Sequence, residues 1–288
     1  MNGHFRDVVR RFIRGEIGLA HDLGDVLTGS AHLFEGDRTD AQRSVNFVTA
    51  HDGFTMNDLV SYEEKHNDAN GEGGRDGTNA NYSRNYGVEG PTDDPVVETL
   101  RKQQIKNFFA ILLLSQGPPL ISMGDEMRRT VGGNNNPYTL DAPGNWLDWK
   151  LLGQNKEIFR FVQHLIRKRK RSYIFTDEHI WSHPGATDVI WHGVKTNSPD
   201  WGIHSRTVAM ELFQEGKEER YYAIINAFDE TLEFELPEVG EHYTWALSMD
   251  TANVPPEDIV ETLEQVPYDR TIYRSKPHSV AVLRTIRK

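Results

Sequence analysis

A histidine and an aspartate stand together at a place where an enzyme could use them. His51 and Asp52 directly follow SVNFVTA, residues 44–50, an apolar run that is typical of a buried strand. Parallel sheets carry their active sites at the carboxyl ends of strands, which is the catalytic position in a βα barrel. In the simpler interpretation, Asp52 caps a backbone amide in a strand-end turn. The pattern alone supports the two interpretations about equally.

An acidic pair follows a second apolar run. Residues 119–123 read PLISM, and Asp125 and Glu126 come directly after the next glycine. Two carboxylates at neighbouring strand ends can bind a metal ion or a sugar. Combined with the first pair they would make a metal-dependent hydrolase, which is the hypothesis that ranks last. An ion pair with the two arginines that follow, which would anchor the loop, is slightly favoured for this pair.

Short amides form a third candidate cluster. Residues 132–136 read GGNNN, and the side chains suited to sugar hydroxyls, because they can donate and accept hydrogen bonds, are Asn134, Asn135, Asn136 and Tyr138. The alternative is turn chemistry, since asparagine and glycine tolerate positive φ. Trp146 and Trp149 could stack on sugars, but at a spacing of three residues they suit packing under a loop at least as well.

The first half of the chain has to position these groups. Apolar spacing predicts helices over residues 4–14, 19–27, 95–114 and 156–171, with Asp94 as an N-cap and Pro95 at the first helical position. Strands are predicted at residues 44–50 and 119–123. This alternation of strand and helix is the pattern of a parallel sheet.

The second half has a different character. Short apolar runs separated by turn residues predict strands at residues 189–193, 206–213, 220–227, 232–236, 243–249 and 279–284. Apolar and polar residues alternate in RTVAMELF (206–213) and LEFEL (232–236), which is typical of strands. This half is predicted to be an antiparallel β-sandwich.

Composition excludes several functions. The 32 lysines and arginines stand against 43 aspartates and glutamates, a formal charge of −11, so the chain repels phosphate backbones and no nucleic-acid partner is expected. Cysteine is absent, which excludes disulfides and thiolate zinc sites and predicts a reducing, cytoplasmic location. The longest apolar run, residues 108–114, is far shorter than the ~20 residues of a membrane span, so no membrane partner is expected.

Five segments in the same order resemble one known family. They are VNFVTAHDGF (45–54), NYSRNYGVEGPTDD (81–94), SQGPPLISMGDE (115–126), GGNNNPY (132–138) and NWLDW (145–149). Together they resemble the isoamylase-type glycogen debranching enzymes, which belong to the α-amylase superfamily, glycoside hydrolase family 13. The resemblance is strongest over residues 2–149 and less specific beyond them.

The resemblance implies a fold and an activity. Residues 1–172 would be the last part of a (β/α)₈ barrel, and residues 173–288 a C-terminal antiparallel β-sandwich that folds by itself. The implied reaction is retaining hydrolysis of α-1,6 branch linkages in α-glucans such as glycogen and limit dextrin, with no cofactor and no metal. On this basis Asp52 would stabilise the transition state and His51 would hold hydroxyls of the same sugar. The cleft wall would carry Asp125, Asn134, Asn135, Asn136 and Tyr138.

One departure limits this expectation. Retaining hydrolysis needs a nucleophilic carboxylate and an acid/base carboxylic acid about 5–5.5 Å apart. The family takes both from earlier barrel strands, and no matching segment is found here, so Met1 is interpreted as an internal or truncated start. The chain alone is therefore expected to be inactive and to need the N-terminal part of the barrel as a partner. The alternative is a non-catalytic α-glucan-binding or structural module that works with a separate N-terminal chain.

Overall fold

The computed structural model describes residues 1–33, 41–183 and 185–288. Within those residues, six α-helices lie in the first two thirds of the chain: α1 (Gly3–Ile13), α2 (Ala20–Leu27), α3 (Met56–Leu59), α4 (Pro95–Leu114), α5 (Lys150–Gln154) and α6 (Lys156–Arg171). Single 3₁₀ turns occur at Ala31–Leu33, Ala41–Arg43, Asp68–Asn70, Asp125–Met127, Pro137–Thr139, Pro143–Asn145 and Thr262–Glu264. The predicted long helices are therefore confirmed to within about a residue or two at their ends.

The strands are β1 (Asn46–Phe47), β2 (Pro119–Leu120), β3 (Asp188–His192), β4 (Thr207–Phe213), β5 (Arg220–Asn226), β6 (Leu232–Glu235), β7 (Tyr243–Asp250), β8 (Ile272–Ser275) and β9 (Ser279–Arg287). β1 and β2 pair in parallel, with Asn46 opposite Pro119 and Phe47 opposite Leu120. This confirms the predicted parallel pairing, and the helix α4 lies in the connection between the two strands.

Both parallel strands are shorter than the sequence suggests. Directly after β1, the carbonyl oxygen of Val48 accepts hydrogen bonds from Nε and Nη2 of Arg10, at 2.9 and 2.6 Å. The carbonyl oxygen of Ala50 accepts a hydrogen bond from the Ser122 hydroxyl at 3.2 Å. Side chains thus bind carbonyl groups that a longer ladder would use, so the regular pairing stops after two residues.

The C-terminal part is antiparallel, as predicted. Five strands form one sheet in the order β3-β4-β5-β9-β7, and β6 pairs with β8 in a second, two-stranded sheet. The sequence analysis missed β8, because its four residues, IYRS, are too few to show a clear apolar pattern and include only two apolar side chains, of which Ile272 is exposed. The two-stranded sheet covers only part of the larger one.

The five-stranded sheet is buried on both faces. One face packs against β6 and β8 through side chains that include Ala209, Tyr222, Ile224, Phe234, Tyr273, Ala281 and Leu283. The other face belongs to the same core as the helices, through Val208, Met210, Leu212, Ala223, Ile225, Val280 and Val282. Successive residues of a strand point to opposite faces, so β4, β5 and β9 each contribute to two cores.

Helix α4 joins the helical part to this sheet. Nδ2 of Asn107 donates a hydrogen bond to the carbonyl oxygen of His278 at 2.6 Å, and the Lys106 ammonium lies 2.8 Å from the buried Asp258 carboxylate. The α4 N-terminus has the predicted cap, since Asp94 accepts from the amides of Val96 and Val97. The carboxyl end of α4 is held by Arg169 of α6, which donates to three carbonyl groups there.

Helix length and hydropathy bear on membranes as well. Among the residues that the structure describes, none of the helices combines the length and the apolar character that a membrane span requires.

Candidate functional site

His51 and Asp52 lie at the tip of a turn beyond the carboxyl end of β1, and both side chains are exposed. The turn is fixed on its far side, because the amide of Gly53 donates to the carbonyl oxygen of Asn135 at 2.9 Å. Phe54 follows in the core with 0% exposure, and Thr55 caps α3 by accepting from the Asp58 amide at 3.2 Å. The exposed pair therefore stands on a rigid support.

Asp125, which follows β2, is buried beneath this turn. Its carboxylate accepts from the hydroxyl of Thr49 and, at 3.0 Å, from the amide of Met56. Thr49 precedes the turn and Met56 follows it, so a single carboxylate holds both ends. Burial raises the pKa of Asp125 to about 7, against the opposing effect of the two hydrogen bonds.

Arg10 of α1 lies in the same buried layer. Besides the carbonyl oxygen of Val48, its guanidinium binds the carbonyl oxygen of Asn81 through Nη1 at 3.1 Å. Burial is the largest influence on its pKa, which falls to about 9, while the charges of Asp125 and Asp52 act in the opposite direction. A buried cation thus lies close enough to both carboxylates to interact with them electrostatically.

Asp58 is a second buried carboxylate on the support. It accepts from the Thr130 hydroxyl and from the Val131 amide at 3.0 Å, and burial raises its pKa. It joins α3 to the loop that carries the asparagine run. The sequence contained a signal for it, because Thr55-x-x-Asp58 has the form of a helix capping box.

The asparagine run is mostly internal. Asn134 and Asn135 are 4% and 2% exposed. Asn135 exchanges two hydrogen bonds with Asn67, at 2.9 and 3.0 Å, and its Nδ2 donates to Asn81 at 2.8 Å. The Nδ2 of Asn134 donates to Asn70 at 2.7 Å. These amides therefore join the loop at residues 131–136 to the loop at residues 67–81.

Asn136 and Asp76 continue this network toward the surface. Nδ2 of Asn136 and Nδ2 of Asn70 donate to the Asp76 carboxylate at 2.9 and 2.7 Å. These two hydrogen bonds, from Asn70 first, lower the pKa of Asp76. The glycine-rich segment around Asp76 is thus tied to the asparagine run.

Glycine is required where the two loops meet. Gly77 has φ +70°, and a Cβ there would lie 2.0 Å from Oδ1 of Asn135 and 2.8 Å from Nδ2 of Asn67. Gly132 has a similar φ of +67°, but a Cβ on it would have no described atom within 4 Å. The close approach at Gly77 lets the hydrogen bonds between the loops form.

Three large aromatic side chains between residues 138 and 149 face solvent. Tyr138 is 82% exposed, Trp146 59% and Trp149 70%. Nε1 of Trp146 donates to Asp141 at 3.0 Å, which fixes the indole. Of the two interpretations of the tryptophans, packing under a loop is wrong, because both rings are open to solvent.

The structure thus separates the candidate residues into two layers. His51, Asp52 and Tyr138 are exposed, Asn136 is partly exposed, and Asp125, Asn134 and Asn135 are buried. Their contacts with a substrate stay predictions. The sequence analysis missed Arg10 and Asn67, for which no local motif gives a signal.

The structure also bears on two other interpretations of the acidic pairs. The proposed ion pairs with the arginines after Glu126 are wrong, because Arg128 pairs with Glu98 at 2.8 Å and Arg129 donates to Asn145.

Across the described ranges, the groups of three or more histidine and carboxylate ligands close enough to hold a metal ion do not include His51, Asp52, Asp125 or Glu126. That finding gives the metal-dependent hydrolase no support.

Comparison with known proteins gives consistent matches. The family model described as "Isoamylase 1-3, C-terminal" matches residues 190–280. The "Glycogen operon protein GlgX homolog" of Mycobacterium tuberculosis (strain ATCC 25618 / H37Rv) is 41% identical over 279 residues, which cover 90% of this chain and 39% of the relative. "Isoamylase 3, chloroplastic" of Oryza sativa subsp. japonica is 39% identical over 284 residues, or 98% of this chain and 35% of that protein.

Solved structures agree at the level of the fold. The pullulanase type I from Bacillus subtilis str. 168, complexed with maltose, superposes with a TM-score of 0.67 at 21% identity, covering 98% of this chain and 35% of that one. The fold and the sequence matches together fit the C-terminal, β-rich region of an enzyme of glycoside hydrolase family 13. More narrowly, the chain corresponds to the C-terminal portion of the isoamylase-type debranching enzymes. It spans less than two fifths of the length of these curated relatives.

Proposed function

We propose that this chain supplies part of the substrate site of an α-1,6-glucan debranching enzyme. The observation that carries the proposal is the exposed His51–Asp52 pair, held rigidly at the carboxyl ends of two parallel strands in a chain of this family. We infer that residues 1–172 are the last part of a (β/α)₈ barrel and residues 173–288 its C-terminal β-sandwich. The parallel pairing of β1 with β2 supports the barrel assignment, since that fold is all-parallel.

The proposed substrate is a branched α-glucan such as glycogen or limit dextrin. The names of the relatives point to glycogen metabolism, and solved pullulanases of the same fold are complexed with maltose and maltotetraose. Asp52 would stabilise the positive charge that develops on the sugar as the glycosidic bond breaks. His51 beside it would hold hydroxyl groups of the same sugar.

The remaining candidates divide by burial. Tyr138 and Asn136 have polar atoms near the surface and would contact the glucan directly. Asp125 and Asn135 would act by positioning, because their hydrogen bonds hold the turn that carries Asp52. Asn134 would act less directly, through the loop that it binds at Asn70. A retaining mechanism demands such rigidity, since small displacements of a reacting group cost large factors in rate.

The chain alone would not complete the reaction. A retaining hydrolase needs a nucleophile and an acid/base group besides the stabilising carboxylate. Asp125 is the buried acid that holds the turn carrying Asp52, and both of its oxygens already accept hydrogen bonds from Thr49 and Met56. We therefore propose that the two missing carboxylates belong to an N-terminal part of the barrel. A non-catalytic glucan-binding module that works with a separate N-terminal chain is the alternative.

A hydrolysis assay tests the inactivity. The purified 288-residue chain is incubated with pullulan and with glycogen, and new reducing ends are measured. We expect no turnover by the chain alone. Turnover that is abolished by Asp52→Asn would contradict the division of the catalytic carboxylates between two parts of the barrel.

A binding assay tests whether glucan binds at the site that contains Asp52. Titration calorimetry with maltotetraose compares the wild type with Asp52→Asn and with Asp93→Asn, a control at an exposed aspartate outside the site. We expect Asp52→Asn to weaken the binding and Asp93→Asn to leave it unchanged. Equal binding by all three chains would place glucan recognition away from Asp52.

A further inference from the structure

Three side chains that favour metal ions converge at a point outside the site described above. His4 lies in the first turn of α1, Asp25 near the end of α2, and His32 in the 3₁₀ turn Ala31–Leu33. One ligand atom from each lies within 4.8 Å of the other two. The two imidazole rings are 5.8 Å apart at 90°. Three separate elements therefore bring nitrogen and oxygen ligands to one point.

One oxygen of the Asp25 carboxylate in this cluster lacks a hydrogen-bond donor within the part of the chain that the structure describes. Nδ1 of His32 lies 3.0 Å from each oxygen of Asp25, yet Oδ2, which is buried, accepts no hydrogen bond of proper geometry from the described residues. A buried carboxylate oxygen without a donor is costly. A cation bound between the carboxylate and the two rings would satisfy it.

The surrounding backbone is fixed before any ligand binds. Nδ2 of Asn2, two residues before His4, donates to the hydroxyls of Ser30 and Ser44 at 3.0 and 2.8 Å. Ser30 lies two residues before His32, and its amide donates to the carbonyl oxygen of Asp25 at 3.1 Å. These buried bonds hold the three elements in register, so binding would need little reordering.

We propose that His4, Asp25 and His32 form a binding site for a divalent transition metal, Zn²⁺ in the first instance. Two imidazoles and one carboxylate are a ligand set that Zn²⁺ accepts in a tetrahedral arrangement, with water as the fourth ligand. Ca²⁺ and Mg²⁺ prefer oxygen ligands throughout and do not fit this set. The metal would join α1 to α2 beside the strand that carries His51 and Asp52. The three ligands are 21 and 7 residues apart, so no sequence motif reveals them.

Titration calorimetry with Zn²⁺ on the metal-free 288-residue chain tests the proposal. We expect one saturable site in the wild type. His32→Ala, whose side chain is 54% exposed and can be removed with little effect on folding, should weaken it on the order of tenfold or more. His4→Ala and the isosteric Asp25→Asn should do the same. His242→Ala removes an exposed histidine elsewhere and should leave the affinity unchanged.

Thermal unfolding with and without Zn²⁺ gives a second readout. A metal that binds only the folded chain raises its melting temperature, so the wild type and His242→Ala should gain stability from Zn²⁺ and His32→Ala should gain less. Equal binding by the wild type and a His4→Ala/His32→Ala double variant would place the metal elsewhere and overturn the proposal. An absence of saturable binding in the wild type would overturn it as well.

Discussion

The loops around Asp52 and the C-terminal sheet both rest on buried side chains, but the side chains are of different kinds. Beneath Asp52 the buried side chains are polar or charged, among them Asp125, Asp58 and Asn135, and each is joined to a neighbouring loop by hydrogen bonds. The five-stranded sheet instead buries apolar side chains on both faces. The comparison shows that the polar region fixes the positions of its loops through hydrogen bonds, whereas the sheet is held together by the exclusion of water.

The two kinds of interior respond differently to substitution. A hydrogen bond contributes only about 0.5–1.5 kcal/mol net, but a buried group that loses its partner costs about 1–3 kcal/mol. Buried apolar side chains lose stability in proportion to the volume removed. The polar region should therefore be sensitive to one misplaced group, and the sheet to a lost side chain.

The comparison also changes an expectation about the domains. The sequence suggested that the sandwich folds by itself. The structure buries one face of the five-stranded sheet in the same core as α1, α4 and α6, and α4 binds the sheet through Asn107 and Lys106. An isolated C-terminal part would expose that apolar face, so we expect the two parts to stabilise each other.

The largest expected effect lies in the sheet. Phe234 on β6 has 0% exposure and packs between the two sheets, so Phe234→Ala should lower the free energy of unfolding by about 3–5 kcal/mol. Urea unfolding measures this value. Leu263→Ala removes a leucine that is 99% exposed and should change it by less than about 0.5 kcal/mol. Similar losses in the two variants would contradict the assignment of Phe234 to a closed core.

A smaller effect is expected where the two polar loops meet. Ala at either Gly77 or Gly132 must adopt a left-handed conformation, which costs about 1–2 kcal/mol. At Gly77 the added Cβ also collides with Asn135, which should cost about 1–3 kcal/mol more. Urea unfolding of Gly77→Ala and Gly132→Ala compares two strained positions that differ in this contact. Equal destabilisation would show that the loops can separate without loss.

Local signals in the sequence predicted much of the fold but only part of the site. The helices follow from apolar spacing and caps, and the outcome at Asp94-Pro95 is confirmed. By contrast, Asp52 and Asp125 follow their strands in the same way, yet one is exposed and the other buried. Burial depends on Arg10, Thr49 and other groups distant along the chain, which a local pattern does not contain.

The same limit explains the strand lengths and the asparagines. The end of β1 depends on Arg10, 38 residues from the carbonyl group that it binds. The side-chain amides of Asn134 and Asn135 are bound by partners more than 50 residues away along the chain. The residue types alone do not reveal these partners, so they suggested contact with a sugar instead. Long-range hydrogen bonds decided both outcomes.

Asp125 offers a pH test of the polar support. Burial raises its pKa to about 7, whereas an unfolded aspartate titrates near ~3.9. The folded chain therefore keeps this proton between about pH 4 and 7 after the unfolded chain has lost it, so stability should fall as the pH rises through that window. The slope from one proton is at most about 1.4 kcal/mol per pH unit. Asp125→Asn removes the titration, and its unfolding free energy should fall less steeply. Parallel profiles for the two chains would contradict the raised pKa.

The smallest effect concerns the helix that joins the two regions. Asp94 accepts hydrogen bonds from the amides of Val96 and Val97 at 2.8 and 3.4 Å, and Asp94→Ala leaves both amides to solvent. Loss of such a cap costs typically about 1 kcal/mol. Asp93→Ala removes an exposed neighbouring charge and controls for the helix dipole, so it should cost less. Hydrogen exchange in Asp94→Ala should rise first at the N-terminal turn of α4. It should then rise toward Arg101 and the loop that Arg101 binds, because α4 contacts both the loops and the sheet. An equal rise along the whole helix would mean that the cap supports α4 as one unit with the sheet rather than its first turn alone.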